Sequence, residues 1–114
     1  MDHKDLEVWK KSMDLVVSVY QITKLFPDSE KFGLTSQMRR SVVSVPSNIA
    51  EGSARKGNKE LIQFLHIAIG SLSELETQYL IAIRLEFIKK EEALELQIIE
   101  VKKLLIGFRN YLNK

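Results

Sequence analysis

Apolar residues recur along this chain in four series with helical spacing. Leu6, Trp9, Met13, Val16 and Tyr20 are separated by alternating steps of 3 and 4, which places them on one face of a helix. That helix is expected to stop near Leu25, because Pro27 disfavours helix at Phe26 and "FPDSEKFG" is rich in turn formers. A second series runs Leu34, Met38, Val42, Val45, Ile49, with Thr35 or Ser36 as its expected N-cap. The third is the most regular: Leu61, Leu65, Ala68, Leu72, Leu75, Tyr79 and Ala82 alternate steps of 4 and 3, the seam of coiled-coil-like packing. Gly57 separates it from the second helix and Asn58 is placed to cap it. The fourth, Leu94, Ile98, Val101, Leu105, Phe108 and Leu112, follows the turn "EFIKKEE". Glu91 and Glu92 stand at its start and Lys102, Lys103 and Arg109 towards its end, matching the helix dipole.

No segment alternates with period two over the length of a strand. The expected fold is all-α: an antiparallel up-down-up-down four-helix bundle, with residues 1–114 forming a single domain. Pro46 interrupts the second series and cannot donate to the carbonyl of Val42. The helix is expected to kink there rather than end, with Ser44 or Ser47 helping to satisfy the freed groups. Gly52 is the expected left-handed C-cap.

Two helices carry more apolar surface than one core-facing stripe needs. Ile62, Ile69 and Ile83 form a second apolar set on the third helix, and Phe64, Ile67 and Ile81 a third. The fourth helix adds Leu96, Ile99, Leu104 and Ile106. Surplus apolar face implies a further interface, and a homo-oligomer is expected.

Composition narrows the class. There is no cysteine, which removes disulfides and thiolate metal sites and suits a reducing cytoplasm. "MDHKDLEVWKK" lacks the apolar core of a signal peptide, and no apolar run approaches the roughly 20 residues of a membrane span. The net charge of +2 is too small to argue for nucleic acid, but its distribution is uneven. Residues 1–30 sum to −2, residues 31–60 to +4, residues 61–100 to −4 and residues 101–114 to +4. Neighbouring antiparallel helices would attract one another, and local basic surface would remain.

Polar residues break the apolar pattern in two lines. The second helix carries Gln37, Arg40, Ser44, Asn48, Glu51 and Arg55, and the third carries Ser71, Glu74 and Gln78. Amides, hydroxyls, arginines and carboxylates are mixed here, as in a network between facing helices. Arg39 or Arg40 is expected to meet Glu74 or Glu76, fixing register more than adding stability. The same residues make a poor catalytic set. Glu74 and Glu76 are two apart and point in different directions on a helix. The only histidines are His3 and His66, and Gln63 stands where a Glu-x-x-His metal motif needs its glutamate. Neither catalytic residue, metal ligand nor cofactor is assigned. Gly52 and Gly57 have the spacing of a phosphate-binding loop, but Asn58 and Lys59 replace the required Lys and Ser or Thr. What survives is a basic cluster, Arg55, Lys56 and Lys59, beside a helix N-terminus where a phosphate backbone can dock without base specificity.

The wording of the chain then resembles a family. "GLTSQMRRS", "VPSNIAEG" and "GSLSELETQ" are similar to the 23S ribosomal RNA intervening-sequence proteins, over about residues 6–85. The fourth helix matches only in pattern. That family is in turn similar to the accessory protein of diversity-generating retroelements. The resemblance implies a cytoplasmic bundle assembling as a ring, a homopentamer, without enzymatic activity. It also implies Arg39, Arg40, Arg55, Lys56 and Lys59 as nucleic-acid contacts, because the retroelement relative binds nucleic acid and its reverse transcriptase through a basic surface. The expected function is an RNA- or ribonucleoprotein-associated scaffold. The alternative is an assembly module that binds no nucleic acid.

Overall fold

The computed structural model describes residues 2–114, and its four α-helices follow the four apolar series. They are α1 (Glu7–Thr23), α2 (Leu34–Ser53), α3 (Asn58–Arg84) and α4 (Glu92–Leu112). Two short 3-10 turns, His3–Asp5 and Asp28–Glu30, precede α1 and α2. No strand occurs among the described residues. At a rise of about 1.5 Å per residue, α3 spans nearly the whole 44 Å length of the molecule. Each helix packs on its neighbours in sequence, and α1 closes the bundle against α4. This arrangement is the expected up-down-up-down bundle.

Every member of the series predicted on α2 and α3 is buried. On α4, Leu94, Ile98, Val101 and Leu105 are buried, while Phe108 and Leu112 pack half-buried against the same core.

On α1 the structure corrects the expected face. The buried residues are Val8, Ser12, Leu15, Val19 and Thr23. Leu6, Trp9 and Val16 sit at the edge of the core, while Met13 and Tyr20 are 41% and 38% exposed. Two hydroxyl residues entered the interior because each satisfies itself locally. Ser12 Oγ donates to the Trp9 carbonyl at 2.8 Å, and Thr23 Oγ1 donates to the Val19 carbonyl at 2.8 Å. A buried hydroxyl bonded in this way carries little penalty, so the larger apolar residues can sit outside it.

The caps also differ from expectation. Neither Thr35 nor Ser36 caps α2. The cap residue is Gly33, and Glu30 Oε1 accepts the Leu34 amide at 3.0 Å, while Thr35 is buried inside the first turn. Asn58 is the first residue of α3 and its side chain makes no cap bond; Gly57 holds the cap position in extended backbone. Gly52 is not a left-handed cap, since no glycine has positive φ. It lies within α2, buried where α3 crosses closely: a Cβ there would meet Phe64 Cβ at 2.8 Å and Leu61 Cδ1 at 2.9 Å.

The left-handed position belongs instead to Glu86, with φ of 63° after the end of α3. Its amide bonds to the Ile83 carbonyl at 2.9 Å and the Phe87 amide to the Ala82 carbonyl at 3.0 Å, the paired bonds of a Schellman stop. Phe87 then packs against Phe26 with ring centroids 5.6 Å apart.

Pro46 lies inside α2, buried, and the helix continues through it to Ser53. Ser44 does not turn to the freed carbonyl of Val42; its hydroxyl bonds across to α3.

Candidate functional site

The seam between α2 and α3 is polar at two levels. Ser41 Oγ lies 2.7 Å from Gln78 Oε1 and 3.1 Å from the Met38 carbonyl. The hydroxyl has one proton, and the shorter contact favours Gln78. One turn on, Ser44 Oγ and Ser71 Oγ are 2.8 Å apart, and Asn48 Nδ2 donates to Ser44 Oγ at 2.9 Å and to the Ser44 carbonyl at 2.8 Å. At the far end Gly52 replaces polar contact with direct backbone approach. Ser41 escaped sequence reading because serine next to Val42 looks like part of the exposed line. Its signal was spacing: it stands three residues after Met38 and four before Val45.

The Ser41–Gln78 bond is nearly dry, so removing one partner strands the other. Ser41→Ala is expected to cost about 1–2 kcal/mol in urea denaturation, and Ser41→Ala with Gln78→Leu to recover most of that loss. Equal losses in the single and double variants would show that the bond contributes nothing.

The remaining polar-line residues are scattered. Gln37 and Glu74 are exposed, Glu76 is half-buried, and Glu51 takes Arg55 Nη2 at 3.0 Å within α2. No ion pair joins Arg39 or Arg40 to Glu74 or Glu76 among the described residues. Arg39 faces α1 instead. Its Nε donates to Thr23 Oγ1 at 2.9 Å, its Nη2 donates to the Tyr20 carbonyl at 3.3 Å, and its guanidinium lies 4.5 Å from the centre of the Tyr20 ring. The angular spacing explains the difference: on a 3.6-residue helix, Arg39 and Ser41 point about 200° apart, so only one of them can face α3.

The five basic candidates form two groups rather than one patch. Arg55, Lys56 and Lys59 are exposed at the α2–α3 connection, with Arg55 leaning over the Phe64 ring at 5.1 Å. Arg39 and Arg40 lie in the first two turns of α2, towards the opposite end of that helix from Arg55. There they line a groove of about 500 Å³ with Tyr20, Lys31, Phe32 and Val43. Phe32 is 91% exposed, and Lys31 Nζ lies 5.6 Å from its ring centre.

Across the bundle, α3 and α4 form another groove, about 420 Å³, lined by Glu76, Leu80, Ile83, Glu95 and Ile99. Tyr79 forms its floor and ties the helices together. Its hydroxyl accepts the Glu91 amide at 2.8 Å and donates to Glu95 Oε2 at 2.8 Å, which secures the start of α4. Burial pushes the Tyr79 hydroxyl above its ordinary value of 10.0, and the neighbouring carboxylate acts in the same direction.

Among the described residues no cluster of three or more His, Cys, Asp or Glu is placed to hold a metal ion. No described helix is long and apolar enough to cross a membrane.

These features define a small four-helix bundle with a polar seam and charged, partly apolar outer grooves. A model of the 23S rRNA-intervening sequence protein family matches residues 4–107, and the chain belongs to that family. The match extends through most of α4, where the sequence resemblance was one of pattern alone. A crystal structure of a protein of unknown function from the S23 ribosomal protein family of Bacteroides thetaiotaomicron is similar over most of both chains. It shares 28% identity, covers 90% of this chain and 97% of its own, and superposes with a TM-score of 0.82. No curated protein matches the sequence.

Proposed function

We propose that this chain is a non-enzymatic, self-assembling scaffold of the cytoplasm that associates with RNA or an RNA–protein complex through phosphate contacts. The observation that carries the reading is the exposed basic connection between α2 and α3, in a chain of the 23S rRNA-intervening sequence protein family. Lys56 and Lys59 have no ion-pair partner among the described residues, and Arg55 has only the surface pair with Glu51. An exposed pair of that kind is weak enough to be exchanged for a phosphate. The scaffold uses no cofactor and does not engage a membrane. Its partner in assembly is itself, in a ring of five.

Binding to fragments of large-subunit ribosomal RNA, followed over a salt series, tests the RNA arm. Affinity should fall steeply with salt. The Arg55→Ala, Lys56→Ala, Lys59→Ala triple variant should flatten the log–log slope by about 0.9 for each duplex phosphate it no longer neutralises. Absence of a complex at low salt, or a complex unaffected by the triple variant, overturns RNA binding at this site. A second reading, an assembly module without nucleic acid, is favoured by the exposed apolar residues Met13, Val17, Phe32, Leu80 and Ile99. It predicts that null result together with intact self-association.

A further inference from the structure

The turn that leads into α2 holds a phenylalanine out of the fold. Phe32 is 91% exposed, yet the backbone around it is tied down. The Lys31 amide donates to the Asp28 carbonyl at 3.1 Å and the Gly33 amide to the Glu30 carbonyl at 2.9 Å. Glu30 Oε1 then accepts the Leu34 amide at 3.0 Å. Gly33 permits that last bond, because a Cβ there would stand 2.8 Å from Glu30 Oε1. A single exposed apolar residue is ordinary on a protein surface; this one is singled out by what surrounds it.

Lys31, Arg39 and Arg40 line the same groove as Phe32, and no carboxylate does. None of the three cations forms an ion pair among the described residues. Lys31 Nζ lies 5.6 Å from the centre of the Phe32 ring. Arg39 is fixed against α1 by its bonds to Thr23 Oγ1 and the Tyr20 carbonyl, with its guanidinium over the Tyr20 ring. Its charge is in place before any ligand arrives, which lowers the ordering cost of binding. Glu30, the carboxylate nearest in sequence, is turned to the Leu34 amide and so caps α2.

We infer that this groove binds single-stranded RNA, with an unpaired base stacked on Phe32 and its flanking phosphates on Lys31 and Arg40. The inference rests on the RNA reading and adds base stacking at a site separate from the α2–α3 connection. Cations without a counter-charge suit a polyanion, and a basic groove interleaved with aromatic rings is how proteins follow an unpaired strand. The shape of the aromatic group decides between RNA and an acidic peptide. A peptide side chain gains affinity by entering a pocket, and a projecting ring offers none. A base is flat and stacks on a bare ring. Bases in a duplex are already stacked on one another, so only an unpaired strand has one to offer.

The test is fluorescence anisotropy at low salt with three labelled probes: a short single-stranded RNA, the same sequence as a duplex, and an abasic strand of equal charge. The substitutions are made in the full chain that already carries Arg55→Ala, Lys56→Ala and Lys59→Ala, so that only this groove is read. That chain should still bind the single strand. Adding Phe32→Ala should weaken single-strand binding by about 5- to 140-fold, the loss of one stacked base, and leave its salt slope unchanged. Duplex and abasic binding should not change, and Phe32→Trp should keep the single-strand affinity. Arg40→Ala should weaken the single and abasic strands alike and flatten both slopes by about 0.7. Phe32 and Arg40 are exposed, and circular dichroism should show the parent's helicity in every variant. A parent chain that binds none of the three probes overturns the RNA reading itself. A parent that binds RNA, while the triple variant does not or while Phe32→Ala changes nothing or weakens all three probes equally, overturns stacking here and leaves that reading standing. Polyglutamate that displaces the single strand as well as unlabelled RNA of equal charge assigns the groove to an acidic protein and overturns the inference too.

Discussion

Tyr79→Ala is expected to lower folding stability by about 3–5 kcal/mol, the usual cost of emptying a buried aromatic site. Tyr79 is the bulkiest fully buried side chain in the bundle, and truncation would leave its volume unfilled between α3 and α4. It would also release the Glu91 amide and the Glu95 carboxylate, both held at 2.8 Å by one hydroxyl. Because domains of this kind are stable by about 5–15 kcal/mol in total, the variant should sit near the edge of folding at ambient temperature. Tyr79→Phe isolates the hydroxyl and should lose about 1–2 kcal/mol. The pH dependence follows from the raised Tyr79 value. The folded chain holds the phenolic proton more tightly than the unfolded chain, so this contribution is complete below pH 10.0 and is lost as pH rises through the folded value. Tyr79→Phe should remove that part of the alkaline slope. A urea midpoint unchanged in the alanine variant would contradict the packing account.

Gly52 separates local from tertiary energetics by sign. Within a helix, alanine is favoured over glycine by about 0.5–1 kcal/mol. The neighbouring helix opposes this, because a Cβ at position 52 would stand 2.8 Å from Phe64 Cβ and 3.4 Å from Leu61 Cα. Neither atom is the free end of a flexible side chain, so α2 and α3 must move apart. Overpacking of this kind costs about 1–3 kcal/mol. Gly52→Ala should therefore destabilise slightly despite its better propensity, and Gly52→Val should lose about 3 kcal/mol, at the upper end of that range. Thermal denaturation reads both. An alanine variant more stable than the parent would show that the helices separate easily at this crossing.

The apolar series on α2, α3 and α4 were legible because burial there is supplied by large aliphatic residues, and spacing alone selects the face. The series on α1 misled because Ser12 and Thr23 hide in the interior by bonding to their own helix, and their polarity disguises them in a one-dimensional pattern. The partner of Arg39 was illegible for another reason. Its long side chain can reach either neighbouring helix, and only the rotation of α2 about its axis directs it to Thr23 and the Tyr20 ring. Grouping of the basic residues was hidden too. Arg40 and Arg55 look like one polar line in sequence, yet Arg40 lies in the first half of α2 and Arg55 just beyond its end.

Sequence by itself determined four helices and their nearly neutral, cysteine-free composition, since both follow from spacing and residue type. It also determined the family, through short stretches that hold their order along the chain. Tertiary structure alone decided which side of α1 is inside, what Gly52 is for, and where the charges gather. Each of those depends on distances between helices, and the rotation and depth of helix packing are set by the sum of many small contacts across the core. No residue's neighbours along the chain report that sum.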